Sequence, residues 1–139
     1  MPFPVDPRWI TATEEKLGVR FPASFVTAMT RHNGGTVVVD HDTTAEDEFT
    51  LHPFLDQSDR TRLKRTTGSI DRETKWNREH DDYLPRNAVV IGNNGGGDLL
   101  VLLPMEDDST SLQHTIYRYN HETGETEAIA EDFAEVRVS

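Results

Sequence analysis

Between two apolar runs stands the segment Gly92-Asn93-Asn94-Gly95-Gly96-Gly97-Asp98, and what this loop can become constrains the whole chain. Before it lie Ala88, Val89, Val90 and Ile91; after it come Leu99, Leu100, Val101, Leu102 and Leu103. A phosphate cradle needs its glycine loop to open into a helix, whose first N–H groups and dipole meet the anion. Here the loop opens into a β-type run, and Asp98 at its end would repel phosphate. No Gly-Lys-Ser/Thr follows, and the glycine spacing is not that of the dinucleotide fingerprint. Asn-Gly and consecutive glycines instead supply the positive-φ positions of a turn between two buried strands. Asp98 is expected to bond the loop's own N–H groups in the manner of an Asx turn, the alternative being a contact with an ion or a partner.

A chain of 139 residues suits one domain, here taken as 1–139, with enough length to bury a real core. The absence of cysteine excludes disulfides, thiol catalysis and cysteine-ligated metals. The opening Met1-Pro2-Phe3-Pro4-Val5-Asp6-Pro7 lacks the basic and apolar regions of a signal peptide. The longest aliphatic run, Leu99 to Leu103, is too short to span a membrane, so a cytoplasmic location is expected. The 25 acidic against 14 basic residues give a net charge of −11. Such a chain repels nucleic acid and anionic membranes and steers basic partners toward itself. Plain solubility, or adaptation to a salty cytoplasm, explains the charge equally well, and eleven arginines against three lysines agree with that.

The pattern along the chain is α+β. Asp6-Pro7 starts a first helix, with Thr11-x-x-Glu14 as an alternative cap. Trp9, Ile10, Thr13 and Leu17 share its inner face, and Gly18 closes it. A second helix from about Pro22 turns Phe25, Val26 and Met29 inward and stops at Asn33-Gly34-Gly35. Strands follow at 37–39 and 49–54, joined by an acidic connection from Asp40 to Glu48. The stretch from Gln57 to Asp82 is polar; Ser69 caps a helix to about Asp81 that docks through Ile70 and Trp76. The unalternating arm Leu99–Leu103 predicts a strand covered on both faces. Met105 to Gln113 form an acidic surface loop. A strand over 115–119 turns through Asn120–Gly124 into 126–129, and a short last helix carries Phe133 and Val136 inward.

No residue set commits the chain to catalysis. His41 between Asp40 and Asp42, His80 before Asp81 and Asp82, and His121-Glu122 use metal-ligand residue types without a ligating spacing. The serines lack a nucleophile elbow, and Glu46, Asp47 and Glu48 form a solvated run, not two carboxylates in contrasting environments. No catalytic, metal or cofactor residue is therefore assigned, and a small hydrolase rests on carboxylate abundance alone. Trp9 belongs to the core. Trp76, in polar surroundings, suits either a helix contact or a surface anchor for a partner.

Leu17-Gly18-Val19-x-Phe21-Pro22 with Phe25 is followed by Asn33-Gly34-Gly35 and Phe54. The order continues through Val90-Ile91-Gly92, Gly95 to Leu100, Ile116-Tyr117-x-Tyr119-x-His121-Glu122-x-Gly124, Ile129-Ala130 and Phe133. This order of signals resembles the SUKH superfamily, which holds yeast cell-wall synthesis regulators of Smi/Knr type and many bacterial immunity proteins. The resemblance covers about Trp9 to Val136, and the segment from Gln57 to Asp82 matches nothing beyond a length and a helical expectation. It implies a mostly antiparallel sheet flanked by helices, no catalytic residue and no cofactor. The implied role is that of an immunity protein neutralising a cognate toxin, often a nuclease. The alternative is a regulatory or scaffold module with an endogenous partner. With the net charge, it singles out Asp40, Asp42, Glu46, Asp47, Glu48, Glu106, Asp107 and Asp108, with Trp76, as the surface that meets a basic protein partner.

Overall fold

The computed structural model describes residues 4–40, 46–55 and 68–138, with the backbone alone at 39, 40, 46, 47, 137 and 138. Helix α1 (Pro7–Leu17) starts where Asp6 accepts the Arg8 N–H at 3.0 Å, with proline at the first helical position. It ends at Gly18 in the left-handed region, φ 68°. The alternative cap is not used; Glu14 instead reaches forward to accept the Phe21 N–H at 2.8 Å. Helix α2 (Ala23–Arg31) buries Phe25 and Met29, and α3 (Ile70–His80) buries Ile70 and Thr74. Trp76 does not dock α3: it is 48% exposed.

The strands are β1 (Gly35–Asp40), β2 (Glu46–Leu51), β3 (Val89–Asn93), β4 (Leu99–Leu102), β5 (Ile116–Tyr119), β6 (Thr126–Ala130) and β7 (Arg137–Val138). They form one antiparallel sheet in the order β6-β5-β4-β3-β2-β1-β7. The fold is thus the α+β arrangement with an antiparallel sheet and flanking helices. Only residues 131–136 join the two outer strands, β6 and β7. That link reaches at most about 25 Å, less than the roughly 29 Å across a flat seven-stranded sheet. The sheet must therefore curl.

Both faces of the central strands are covered, as the unalternating arm predicts. Val89, Ile91, Leu100 and Leu102 meet Ile10, Phe25, Met29 and Ile70 in the main core. Val90, Leu99, Val101 and Tyr119 meet Leu84 and Ala88 on the other face. Phe54 lies beyond the end of β2 but is fully buried, packed among Phe21 and Phe25, while Phe133 packs on Phe25. Asn33 ties this aromatic cluster to the end of α2, accepting the Phe54 N–H at 2.7 Å and donating to the Phe54 carbonyl at 2.9 Å. The terminal helix is one 3-10 turn, Phe133–Glu135, with Phe133 buried and Val136 partly so.

Strands β2 and β3 pair only at Thr50–Asn93 and Leu51–Gly92. A methyl group on Gly92 would stand 2.7 Å from the Thr50 carbonyl oxygen, so the strands can approach this closely only across a glycine. The β3–β4 register shifts between Val90 and Gly92, a bulge that turns β3 away from β2. Helix α3 then takes over the freed edge. The Val90 N–H donates to the Thr74 hydroxyl at 2.9 Å, and Arg78 Nε donates to the Ala88 carbonyl at 3.1 Å.

Two outcomes follow from this junction. Gly92→Ala should lose about 1–3 kcal/mol of stability in urea unfolding through overpacking against the Thr50 carbonyl; an unchanged midpoint would contradict the close approach. Next to the junction, burial pushes the His52 imidazole below its ordinary 6.5, against the pull of Glu73. Asn93 donates its amide to His52 Nε2 at 3.3 Å, which needs an unprotonated nitrogen. Below pH 6.5 the unfolded chain thus binds the proton that the folded chain resists, and stability falls with falling pH. His52→Gln should remove that part of the slope when unfolding midpoints are compared across the range.

Candidate functional site

The registers gather three turns at one end of the sheet. Asn93 lies opposite both Thr50 and Leu99, and Leu99 lies opposite Tyr119. The connections β1–β2, β3–β4 and β5–β6 therefore all leave the sheet on the same side. In the middle turn, Gly95 and Gly97 take φ of 79° and 104°. Asn93 accepts the Gly95 N–H at 3.2 Å, and Asn94 accepts those of Gly96 at 2.9 Å and Asp98 at 3.2 Å. The N–H groups that a phosphate would need are thus directed to asparagine side chains.

Asp98 does not make the expected bonds to its own loop, because the two asparagines fill that role. Its carboxylate points across the sheet. Arg118 of β5 donates to Oδ2 through Nη2 at 2.6 Å and through Nε at 3.2 Å. His121, at the start of the β5–β6 turn, meets Oδ1 with its Nδ1 at 2.8 Å and its backbone N–H at 3.3 Å. A methyl group on Gly97 would fall 2.9 Å from the His121 ring, so the glycine is what lets the imidazole lie against the loop. Arg118 also stands over the Phe49 ring, 5.8 Å from its centre. Burial alone would raise the Asp98 carboxyl, but the bonds from Arg118 and His121 outweigh it and hold the group below the usual carboxylate range. The network closes the turn end of the core and joins its second and third turns. Among the described residues no cluster of three or more metal-ligating side chains occurs.

The acidic residues singled out from the sequence divide between the two ends of the sheet. Asp40 and Glu46 are paired with each other at the outer end of the β1–β2 ladder, followed by Asp47 opposite Val39 and Glu48 opposite Val38. They belong to the strands themselves, not to a separate connection, because both strands run further than the apolar residues alone suggest. Glu48 is exposed; Asp42 lies outside the described residues, as does His41. Glu106, Asp107 and Asp108 are exposed at the opposite end, between β4 and β5. Their loop is clamped to the α1–α2 connection, where the Arg20 N–H donates to the Thr110 carbonyl at 2.7 Å and Leu112 N–H to the Arg20 carbonyl at 3.0 Å. Asp108 is occupied in accepting from Thr110 and Ser111. Trp76 stacks on His80 with ring centres 4.2 Å apart.

Of the acids of the third turn, the sequence reading weighed Glu122 only as a metal-ligand type and passed over Glu125 and Glu127. Glu122, Glu125 and Glu127 are exposed there, beside the first turn's end of the sheet. From 121 to 136 the chain has six acidic residues and no lysine or arginine, a signal present in the sequence. Tyr83, 81% exposed and placed where a methyl group on Gly124 would meet its Cβ at 3.4 Å, was equally unmarked by any periodicity. The segment that carries it is anchored by Tyr119, which donates to Asp81 at 2.9 Å. Burial, with this bond and the charge of Asp81, pushes the Tyr119 phenol up to about 12.

Comparison with known proteins adds one finding. The model of the SMI1 / KNR4 family (SUKH-1) matches residues 4–137. No curated protein and no solved structure matches the chain. No helix among the described residues is long and apolar enough to cross a membrane.

Because Asp98 is held ionised in the folded state, it stabilises the fold above its ordinary pKa of 3.8, and that contribution is lost as pH falls through its lower folded value. Asp98→Asn should therefore unfold more readily at neutral pH, yet lose less further stability than the parent below about pH 4. Unfolding midpoints at neutral and acid pH measure both effects. Parallel acid profiles would show that Asp98 is not held as described.

Proposed function

This chain belongs to the SMI1/KNR4 family (SUKH-1), and we propose that within it the chain is a non-enzymatic binding protein that neutralises a basic toxin domain. One observation carries this reading: of the three turns gathered at one end of the sheet, the two outer ones are acidic and contain no lysine or arginine. The first spans Asp40, Asp42, Glu46, Asp47 and Glu48; the other spans Glu122, Glu125 and Glu127. Between them, Asp98 is neutralised by Arg118, so the central turn adds rigidity where the outer ones add negative charge. A fixed acidic end of this kind accelerates encounter with a basic surface and disfavours nucleic acid as a partner.

The remaining features fit the same division. The glycines and aromatic residues that carry the resemblance are consumed in turns, close approaches and core packing. Glu106 and Asp107 lie at the other end, and Asp108 is engaged within its own loop. Trp76, exposed on α3, is a further contact in this proposal, as a hot-spot residue type outside the acidic end.

Co-expression with the product of a neighbouring toxin-like gene tests the reading. The chain should restore growth and form a complex whose association slows as salt is raised, with dissociation changing little. Reversing Glu48, Glu122 and Glu125 to lysine should slow association by about tenfold or more while leaving the unfolding midpoint within about 0.5 kcal/mol. No rescue together with no complex removes the immunity role for that pair. A complex with an endogenous protein in its place points to the regulatory role seen elsewhere in the resemblance.

A further inference from the structure

Strand β6 is the outermost strand of the sheet, and among the described residues no strand lies on its outer side. A five-residue edge without proline or lysine leaves backbone N–H and C=O groups available for pairing. Glu127 and Ala128 are exposed, whereas Ile129 and Ala130 pack partly against the core, so the open part of the edge is its first half. Beside that half is a hollow of about 360 Å³ lined by Arg118, Asn120, Glu125, Thr126 and Glu127. The Arg118 guanidinium in its wall bonds Asp98 and belongs to the residue directly opposite Glu127, so the two carboxylates outnumber the one cation of the lining.

We infer that the first half of β6 receives an extended, basic segment of a partner protein as an added strand, with a lysine or arginine seated in the hollow between Glu125 and Glu127. Backbone pairing supplies the affinity and the carboxylates select the occupant. A second copy of this chain is the wrong occupant. Two such edges would bring Glu125, Glu127 and Glu131 near their counterparts, and like charges across a strand pair destabilise it. A neutral segment would gain the ladder but bring no further positive charge to the two carboxylates. The inference rests on the reading of the chain as a protein-binding module and names the surface and partner chemistry.

The probe is a short synthetic peptide alternating lysine with valine and threonine, compared with a version carrying glutamate for lysine. A third version is N-methylated at alternate residues, so that the charge is kept and the ladder is blocked. The lysine peptide should bind the intact chain and the glutamate peptide should not. Alternate N-methylation, and separately the double variant Glu125→Lys with Glu127→Lys, should each weaken binding by about tenfold or more. The variant Glu106→Lys with Asp107→Lys, at the opposite end, should bind the peptide as the parent does.

Equal binding of the N-methylated peptide would show attraction by charge alone and overturn the added strand. Binding untouched by the Glu125/Glu127 change would overturn its location. Dimerisation of the free chain in sedimentation that the same double variant abolishes would give the edge to a second copy, against the proposal. Failure of all three peptides while the chain still rescues growth would sink this inference and leave the immunity reading standing.

Discussion

Strands β2 and β3 touch over two residue pairs, and the approach of the Thr50 carbonyl at the second of them leaves space for hydrogen and nothing larger on residue 92. That contact is the hinge of the molecule. On one side of it, β1 and β2 continue as a hairpin toward the turn end. On the other, β3 bulges away, and the gap is filled by α3, whose Thr74 hydroxyl and Arg78 guanidinium bond the backbone groups that a strand would otherwise have bonded. The helix is thereby fixed to the sheet by polar edge contacts as well as by Ile70. Without the close approach at Gly92, a buried strand edge would lack partners, a cost of about 1–3 kcal/mol for each unsatisfied group.

The same registers decide what the surface can be. With β3 fixed between β2 and β4, all three hairpin turns fall on one end, and the β4–β5 loop on the other. Asp98 then sits where it can join two turns, through Arg118 twenty residues away in sequence and through His121 beyond it. Buried, doubly bonded and held ionised, it rigidifies the end from which the acidic hairpins project.

Local chemistry was legible in the sequence. Asp6-Pro7 and Gly18 mark α1, Ser69 the start of α3, and the aliphatic arm after the glycine loop a strand covered on both faces. The glycine loop itself is a turn because a strand follows it. What was not legible depended on contacts distant in the chain. No pattern says that Thr74 replaces a strand partner, so Trp76 was assigned to the docking face that Thr74 occupies. Asp98 looked like a local cap because its true donors lie on β5 and the turn after it. The two acidic segments looked like one face, since their charge is visible in sequence but the strand registers that separate them are not. Glu125 and Glu127 were passed over for the opposite reason, being unremarkable until β6 is found at the sheet's edge.

The structure places the glycines and aromatic residues that carry the resemblance in turns and core, and the proposed function puts the partner surface on the acidic turn end. Hydrogen exchange of the chain, alone and in complex with a co-expressed toxin domain, measures that division directly. Slowed exchange at residues 40–48 and 120–130 and around Trp76, with 104–112 unchanged, is the expected result. Protection centred on the 104–112 loop, or on the glycine loop from 93 to 98 with the outer turns unaffected, would contradict it.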